Sequence, residues 1–483
     1  MKVKTAPAEA GHSQATLIVL LIGRALLILS SVVSIRLATQ LLGASQVGVM
    51  NLILSAITLF GLLIGAFSLY FYRQLLEWHI EGRLIENVAR YALFLVISAA
   101  VACVLMLVPY YGTDTAWRNV PLPWLALLLA GNLVIATLNG AVLYALNALG
   151  RRRTYVLLSN VTSWGGVGLA VASNLLASPR AEHWLFGLLA AQLVSLCMAW
   201  RPFVEAARVE SGSPRVANAR VEDFRFGAVL RFSWPLAVCT ALYWVQRNSF
   251  APIMASRHDM QTLGLFSVGF SVGLLIMSSF DTLFREYYSP IYYRAIAGGD
   301  DDAKVAAWNR YAEALFPAVI AMAAFVAASG SVLLRLLVSQ EFHGVASVVA
   351  WGALSQALIS IYSTYVLLAS SFMDNRLLLV PNMAGAVVAV ALLGMLVPLH
   401  PIAGTGLAIN FGLLTTTVLA GRRLSKLRPH TFPLRRTSVA LALAVPLAVV
   451  PWIDRSFPHT PIILGIAGLY AVGLQYRLAQ RWL

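Results

Sequence analysis

Apolar runs of twenty residues or more, joined by short polar connections, follow one another along nearly the whole chain. Of its 483 residues 59% are hydrophobic and only 11% are charged, for a mean hydropathy of +0.77. A soluble domain must leave most of its exterior to water and cannot conceal that much apolar surface. Lipid must therefore be the solvent for most of this protein, which fixes its class before any motif is read.

At ~1.5 Å of rise per residue, about 20 apolar residues cross the hydrocarbon layer. Runs that meet this length lie near 15–41, 46–72, 87–108, 122–148, 155–177, 184–202, 227–253, 262–290, 306–337, 346–372, 377–398, 401–421, 437–452 and 460–478. This gives about 14 transmembrane helices; the thirteenth run is short and the eighth and ninth are long, so twelve or thirteen also fit. The runs are continuous, whereas barrel strands would be ~10 residues of alternating polarity. The first run is too long for the apolar part of a signal peptide and no small-residue cleavage site closes it, so it reads as an uncleaved span.

Basic residues set the expected orientation. With the N-terminus and its Lys2 and Lys4 in the cytoplasm, 25 Lys and Arg residues fall inside and 4 outside. The other six, Arg24, Arg36, Arg247, Arg285, Arg310 and Arg335, fall within spans. Both termini are then cytoplasmic, and the net charge of +15 is mainly this topological signal plus attraction to anionic headgroups. No soluble basic stretch is long enough for a nucleic-acid partner. Trp117, Trp124, Trp184, Trp200, Trp308, Trp452 and Trp482 stand at run ends, as an interfacial aromatic belt would.

The longest polar connection separates six spans from eight and reads as a linker. The expected domains are a lobe at 1–203, a linker at 204–226, a second lobe at 227–421 and two further helices in 422–483. The lobes carry a sparse repeat. Gly48 and Ser55 correspond to Gly264 and Ser271, and Leu146, Leu157 and Asn160 correspond to Leu368, Leu379 and Asn382. Six spans per unit is even, so the fold class expected is all-α and polytopic, with two parallel six-helix lobes plus two C-terminal helices.

Ionisable groups inside spans carry the functional information, because each costs at least ~2.5–3.5 kcal/mol near a helix centre. Arg24 and Arg36 lie in the first span and Arg247 in the seventh, and neither span contains an Asp or Glu. That imbalance points to a counter-ion brought by the cargo, and a phosphate or pyrophosphate suits guanidinium forks. The bland alternative is snorkelling to the headgroups. Tyr243 and Trp244 stand one turn from Arg247 and offer either sugar stacking or an intrahelical cation–π contact. Asp281 can pair with Arg285 at i, i+4 and Glu313 with Arg310 at i, i+3; the alternative for Asp281 and Glu313 is a coupling carboxylate. Tyr287, Tyr288, Tyr292 and Tyr293, around Pro290, read as an interfacial girdle where the eighth span leaves the membrane. No His or Cys motif for a metal and no phosphate-binding glycine loop occurs. No catalytic residue, metal or cofactor is therefore expected, and with no sizeable outer loop to hold a site an enzyme is disfavoured.

Several segments resemble the polysaccharide transporter family, the Wzx-type flippases, of the superfamily that includes MATE exporters and the lipid II flippase. They are Leu41-Leu42-Gly43 with Val47-Gly48-Val49-Met50-Asn51, the run Arg231 to Leu236 around Trp234-Pro235, Leu263-Gly264-Leu265-Phe266-Ser267 through to Tyr288–Tyr292, and Ile402-Ala403-Gly404-Thr405-Gly406. The resemblance implies a flippase of the bacterial inner membrane. Its cargo would be an undecaprenyl-pyrophosphate-linked oligosaccharide, moved from the cytoplasmic to the periplasmic leaflet by alternating access for polysaccharide export. Its implied partners are that lipid-linked glycan, membrane lipids, a polysaccharide polymerase and glycosyltransferases. Arg24, Arg36 and Arg247 would hold the pyrophosphate, with Tyr243 and Trp244 at the sugar. The alternatives are a cation-coupled MATE-type drug exporter and a membrane-embedded polymerase or ligase. One departure stands out: the family often has Asp-Arg at the end of the seventh span, where this chain has Gln246-Arg247. A mechanism coupled through that acid is in doubt here.

Overall fold

A computed structural model describes residues 10–112, 117–208, 226–296, 301–372, 375–427, 433 and 436–442. The thirteenth and fourteenth predicted spans, Trp452, Trp482, Lys2, Lys4 and most of the linker lie outside the described residues, apart from the first turns of the thirteenth span. Among the described residues the regular structure is entirely helical. The helices are α1 (Ala10–Ile80), α2 (Leu84–Gly112), α3 (Leu122–Gly131), α4 (Thr137–Ala148), α5 (Arg152–Leu176), α6 (Ala181–Ala207) and α7 (Phe226–Asn248). They continue with α8 (Phe250–Arg257), α9 (Met260–Ile296), α10 (Asp301–Ala328), α11 (Gly330–Leu337), α12 (Ala346–Ser371), α13 (Leu379–Leu396) and α14 (Pro401–Leu427). Ten described helical segments are long and apolar enough to cross a membrane, the first of them holding two predicted spans.

Lipid as solvent is visible on α2. Leu93, Ile97, Val101, Val104 and Val108 form an outward stripe, and Val108 is 70% exposed. The opposite face, with Val88, Tyr91, Leu95, Ala99 and Ala102, is buried. A helix apolar on both faces can be solvated only by hydrocarbon. The chain is a multi-pass, all-α membrane protein.

The breaks in the helices have local causes. Gly43 sits at φ 68°, ψ 170°, a conformation that a Cβ would disfavour, and it divides α1 between the first two predicted spans. After the break the Ala44 N–H donates to Glu341 Oε2 at 3.1 Å, so a carboxylate caps the restarting helix. The seventh and ninth predicted spans are each split, at Ser249 between α7 and α8 and at Ser329 between α10 and α11. Both hydroxyls donate to the carbonyl four residues back, Ser249 to Val245 at 2.5 Å and Ser329 to Phe325 at 2.6 Å, and the Ser329 N–H shares the Phe325 carbonyl at 2.9 Å. The fourth span is helical throughout but passes through a π-helical turn, Asn132–Ala136, between α3 and α4.

The chain forms two compact units. The first runs up to Thr240 without Gly43–Leu52; the second joins Gly43–Leu52 to the chain from Ala241 onward. In the first unit α5 packs along α6, and α4 lies on both. Its aromatic core joins α1 to α2: Phe71 stacks on Tyr91 at 4.5 Å, and the Tyr91 hydroxyl is 2.6 Å from Ser68 Oγ. In the second unit α12 packs on α9, α10 and α14, and α13 pairs with α14. The repeat-matched glycines meet there. A Cβ on Gly48 would lie 1.9 Å from the Met260 carbonyl oxygen, and one on Gly264 would lie 1.8 Å from that of Ala44. Only glycine permits this backbone approach.

Two aromatic expectations are corrected. Trp117, Trp184 and Trp308 are 7%, 1% and 0% exposed, and the Trp308 indole donates to the Thr364 carbonyl at 2.8 Å, so all three pack inside instead of forming a lipid belt. Tyr288 and Tyr292 likewise face inward; Phe284 stacks on Tyr288 and Tyr292 meets Tyr311 edge to face, while Tyr293 is exposed.

Candidate functional site

The basic residues of α1 and α7 lie on helices whose apolar runs hold no carboxylate. Arg24 is exposed and Arg36 half-buried. Twelve residues separate them, ~18 Å along the axis and about 120° around it, so one phosphate group cannot span both while α1 stays helical. Arg247 is half-buried; its Nη1 donates to the Tyr243 hydroxyl at 3.0 Å, and its guanidinium carbon lies 5.9 Å from the Tyr243 ring centroid. The one-turn spacing thus produces the intrahelical contact. A hydroxyl and a ring face fix the guanidinium orientation without neutralising its charge. Trp244, the next residue, is half-buried.

The two carboxylates differ from one another. Asp281 is 9% exposed, and Arg285 Nε donates to its Oδ2 at 2.8 Å, as the i, i+4 spacing predicts. Arg285 also donates to Ser363 Oγ on α12, while Asp281 Oδ1 is buried without a hydrogen-bond partner among the described residues. Glu313 takes a partner that spacing does not reveal. Its Oε2 accepts from Arg436 Nη1 at 2.9 Å, a contact 123 residues distant, in place of the expected pairing with Arg310. Arg310, one turn earlier, is exposed.

Gln246, where the resembled family often has an acid, is the hub of a neutral network. It is 1% exposed; Nε2 donates to the Asn382 carbonyl at 3.0 Å and Oε1 accepts from Thr416 Oγ1 at 2.8 Å. Asn382 Nδ2 in turn donates to the Tyr362 hydroxyl at 2.6 Å. Each amide finds a partner, and α7, α12, α13 and α14 are tied together without a charge.

A cavity of about 540 Å³ lies inside the first unit, among α1, the π-helical turn, α5 and α6. From α1 come Ser30, Ser31, Ser34 and Ile35; from α5, Ser159, Thr162, Ser163 and Val167. Asn132, at the start of the π-helical turn, Leu188 and Gln192 complete the lining. None of these residues is charged. Ser30 Oγ and Ser163 Oγ are 2.5 Å apart and tie α1 to α5 beside it. The sequence did not single out these residues, yet it carried a signal: hydroxyls at i, i+1, i+4 in one apolar span and at i, i+3, i+4 in another make a polar stripe at helical period.

No protein-family model and no curated protein matches the chain in sequence. Solved structures do match in fold. The lipid II flippase MurJ, in an inward closed conformation, aligns over 97% of this chain and 98% of its own with a TM-score of 0.64 at 10% identity. A multidrug resistance MATE family transporter of the MOP superfamily, in an inward-facing conformation, aligns over 89% of this chain and 98% of its own with a TM-score of 0.57 at 13% identity. The chain therefore has the fold that these membrane transporters share.

Proposed function

We propose that this protein is a non-enzymatic transporter that flips a polyprenyl-pyrophosphate-linked oligosaccharide from the cytoplasmic to the periplasmic leaflet of the bacterial inner membrane. The observation that carries this reading is basic charge placed by the sequence inside two apolar spans, the first and the seventh, that hold no acid of their own. The fold likeness to a lipid II flippase supports it, as does the bracing of Arg247 by Tyr243. A glycan headgroup cannot cross ~30 Å of hydrocarbon unaided, since each unsatisfied polar group costs several kcal/mol there. In this account Arg24, Arg36 and Arg247 hold the pyrophosphate, while Tyr243 and Trp244 contact sugar and the polyprenyl tail stays in lipid. Alternating access needs no covalent step.

The likeness to a MATE transporter favours a second reading, a cation-coupled exporter with Asp281 as its coupling carboxylate. Basic first and seventh spans would repel the cationic cargo that this reading requires. Complementation separates the two. In a strain lacking the gene, Arg24→Ala, Arg36→Ala and Arg247→Ala each lower polymer secretion at least tenfold while membrane levels hold. A charge-assisted bond is worth about 1.5–3 kcal/mol, so each lysine variant recovers part of the loss. Normal secretion by all three alanine variants would overturn the proposal.

A further inference from the structure

We infer that the cavity of the first unit is a binding site for an uncharged, hydroxyl-rich ring, a neutral sugar of the transported headgroup; this rests on the flippase reading above. The lining matches such a ring group by group. Ser34 and Ser159 supply hydroxyls that both donate and accept, as sugar hydroxyls do, while Ser31 and Thr162, whose O–H groups are donated to the Leu27 and Leu158 carbonyls at 3.0 and 2.9 Å, present acceptor lone pairs. Gln192 lines the cavity with its Oε1 held by Asn139, whose Nδ2 donates to it at 2.7 Å. Val167 and Leu188 offer apolar surface for the C–H face of a ring.

The lining also excludes other occupants. With no charged side chain around it, the lining offers an acidic sugar or a phosphate no counter-charge. At about 540 Å³ the cavity is far larger than the cage of 6–8 oxygens at about 2.3–2.6 Å that holds Ca2+. That volume falls within the ~300–1,000 Å³ of small-molecule sites. The local backbone agrees: a π-helical turn, a device frequent at functional sites, begins at Asn132.

Placement on α1 links the cavity to the phosphate. Arg24 and Ser31 are seven residues apart, so they share a helix face at ~10 Å separation. A ring joined directly to a pyrophosphate on Arg24 is within reach of the cavity, and the cavity then reads the first sugar.

Saturation-transfer NMR on the full-length protein in nanodiscs tests this, with galactose, mannose and N-acetylglucosamine as neutral probes and glucuronic acid as the charged one. We expect transfer to at least one neutral probe and none to glucuronic acid, unchanged when sodium is replaced by choline. Ser34→Ala/Ser159→Ala should lower the signal at least fivefold, and Ser159→Trp, which fills the space, should abolish it, both at unaltered melting temperature. Absence of transfer from every neutral probe, equal transfer from glucuronic acid, sodium dependence, or signal that survives both variants would each overturn the site. The flippase reading fails separately: polymer secretion that ignores the arginines removes it even if sugars bind, whereas arginine-dependent secretion with an empty cavity removes only this inference.

Discussion

Charge within the apolar spans of this chain comes in two forms, and single residues decide which. Asp281 and Arg285 form a pair closed by Ser363, with side chains 12% and 34% exposed. Removing one partner strands the other in low dielectric, at about 1.5–3 kcal/mol for a charge-assisted bond. We expect Asp281→Asn and Arg285→Gln each to lower the melting temperature in detergent, and the double variant to lose less than the sum. Strict additivity in that cycle would show that the pair is not a unit. Arg24, Arg36 and Arg247 are the other form, basic groups in acid-free spans, and they belong to the cargo hypothesis. Spacing made some of this legible: Tyr243–Arg247 and Asp281–Arg285 are one turn apart and do touch. It failed for Glu313, because Arg436 arrives from 123 residues away and no periodicity encodes that. The serines of the cavity went unread because each is ordinary alone; only their convergence from α1 and α5 makes a polar wall.

Helices are shaped by a few positions at their breaks and crossings. Gly48 and Gly264 allow one helix backbone to lie on another, where a methyl group would fall within 2 Å of a carbonyl oxygen. Gly48→Ala or Gly264→Ala should therefore cost about 3 kcal/mol or more and sharply reduce the folded protein recovered. Gly61→Ala and Gly65→Ala meet nothing within 4 Å and should leave recovery unchanged. Equal behaviour of the two pairs would refute the close crossing. The start of α9 offers a test by pH. Asp259 Oδ1 accepts from the Thr262 N–H at 2.7 Å, and bonding by Thr262, through its hydroxyl and its N–H, holds the carboxyl below the usual carboxylate range. A depressed carboxyl stabilises the folded form at pH above its unfolded value and loses that contribution as pH falls through its folded value. Asp259→Ala should thus lower stability by about 1 kcal/mol at pH 7, and the difference from the parent should close below pH 4. A gap that persists in acid would exclude the cap as its cause. The apolar runs foretold where helices lie but not the breaks at Ser249 and Ser329. At both positions a hydroxyl turns back onto the carbonyl four residues earlier, a contact that a hydropathy pattern does not record.

For the molecule as a whole, the apolar runs were sufficient to establish an all-α membrane fold, because lipid solvation leaves helices few alternatives. The fold likeness to MurJ and to a MATE transporter agrees with that reading at 10% and 13% identity, so the pattern persists where residue identity does not. Cargo is the level at which fold is silent, since the two neighbours themselves bear different names, a lipid II flippase and a multidrug transporter. Sidedness of cargo decides between them. Purified protein reconstituted into liposomes with a fluorescent polyprenyl-pyrophosphate glycan, followed by a membrane-impermeant glycosidase, measures how much glycan has changed leaflet. The account predicts that the accessible fraction redistributes with the parent protein and stays fixed with Arg24→Ala/Arg247→Ala. No redistribution by active, correctly folded protein, or redistribution that the arginine variant leaves intact, would contradict it.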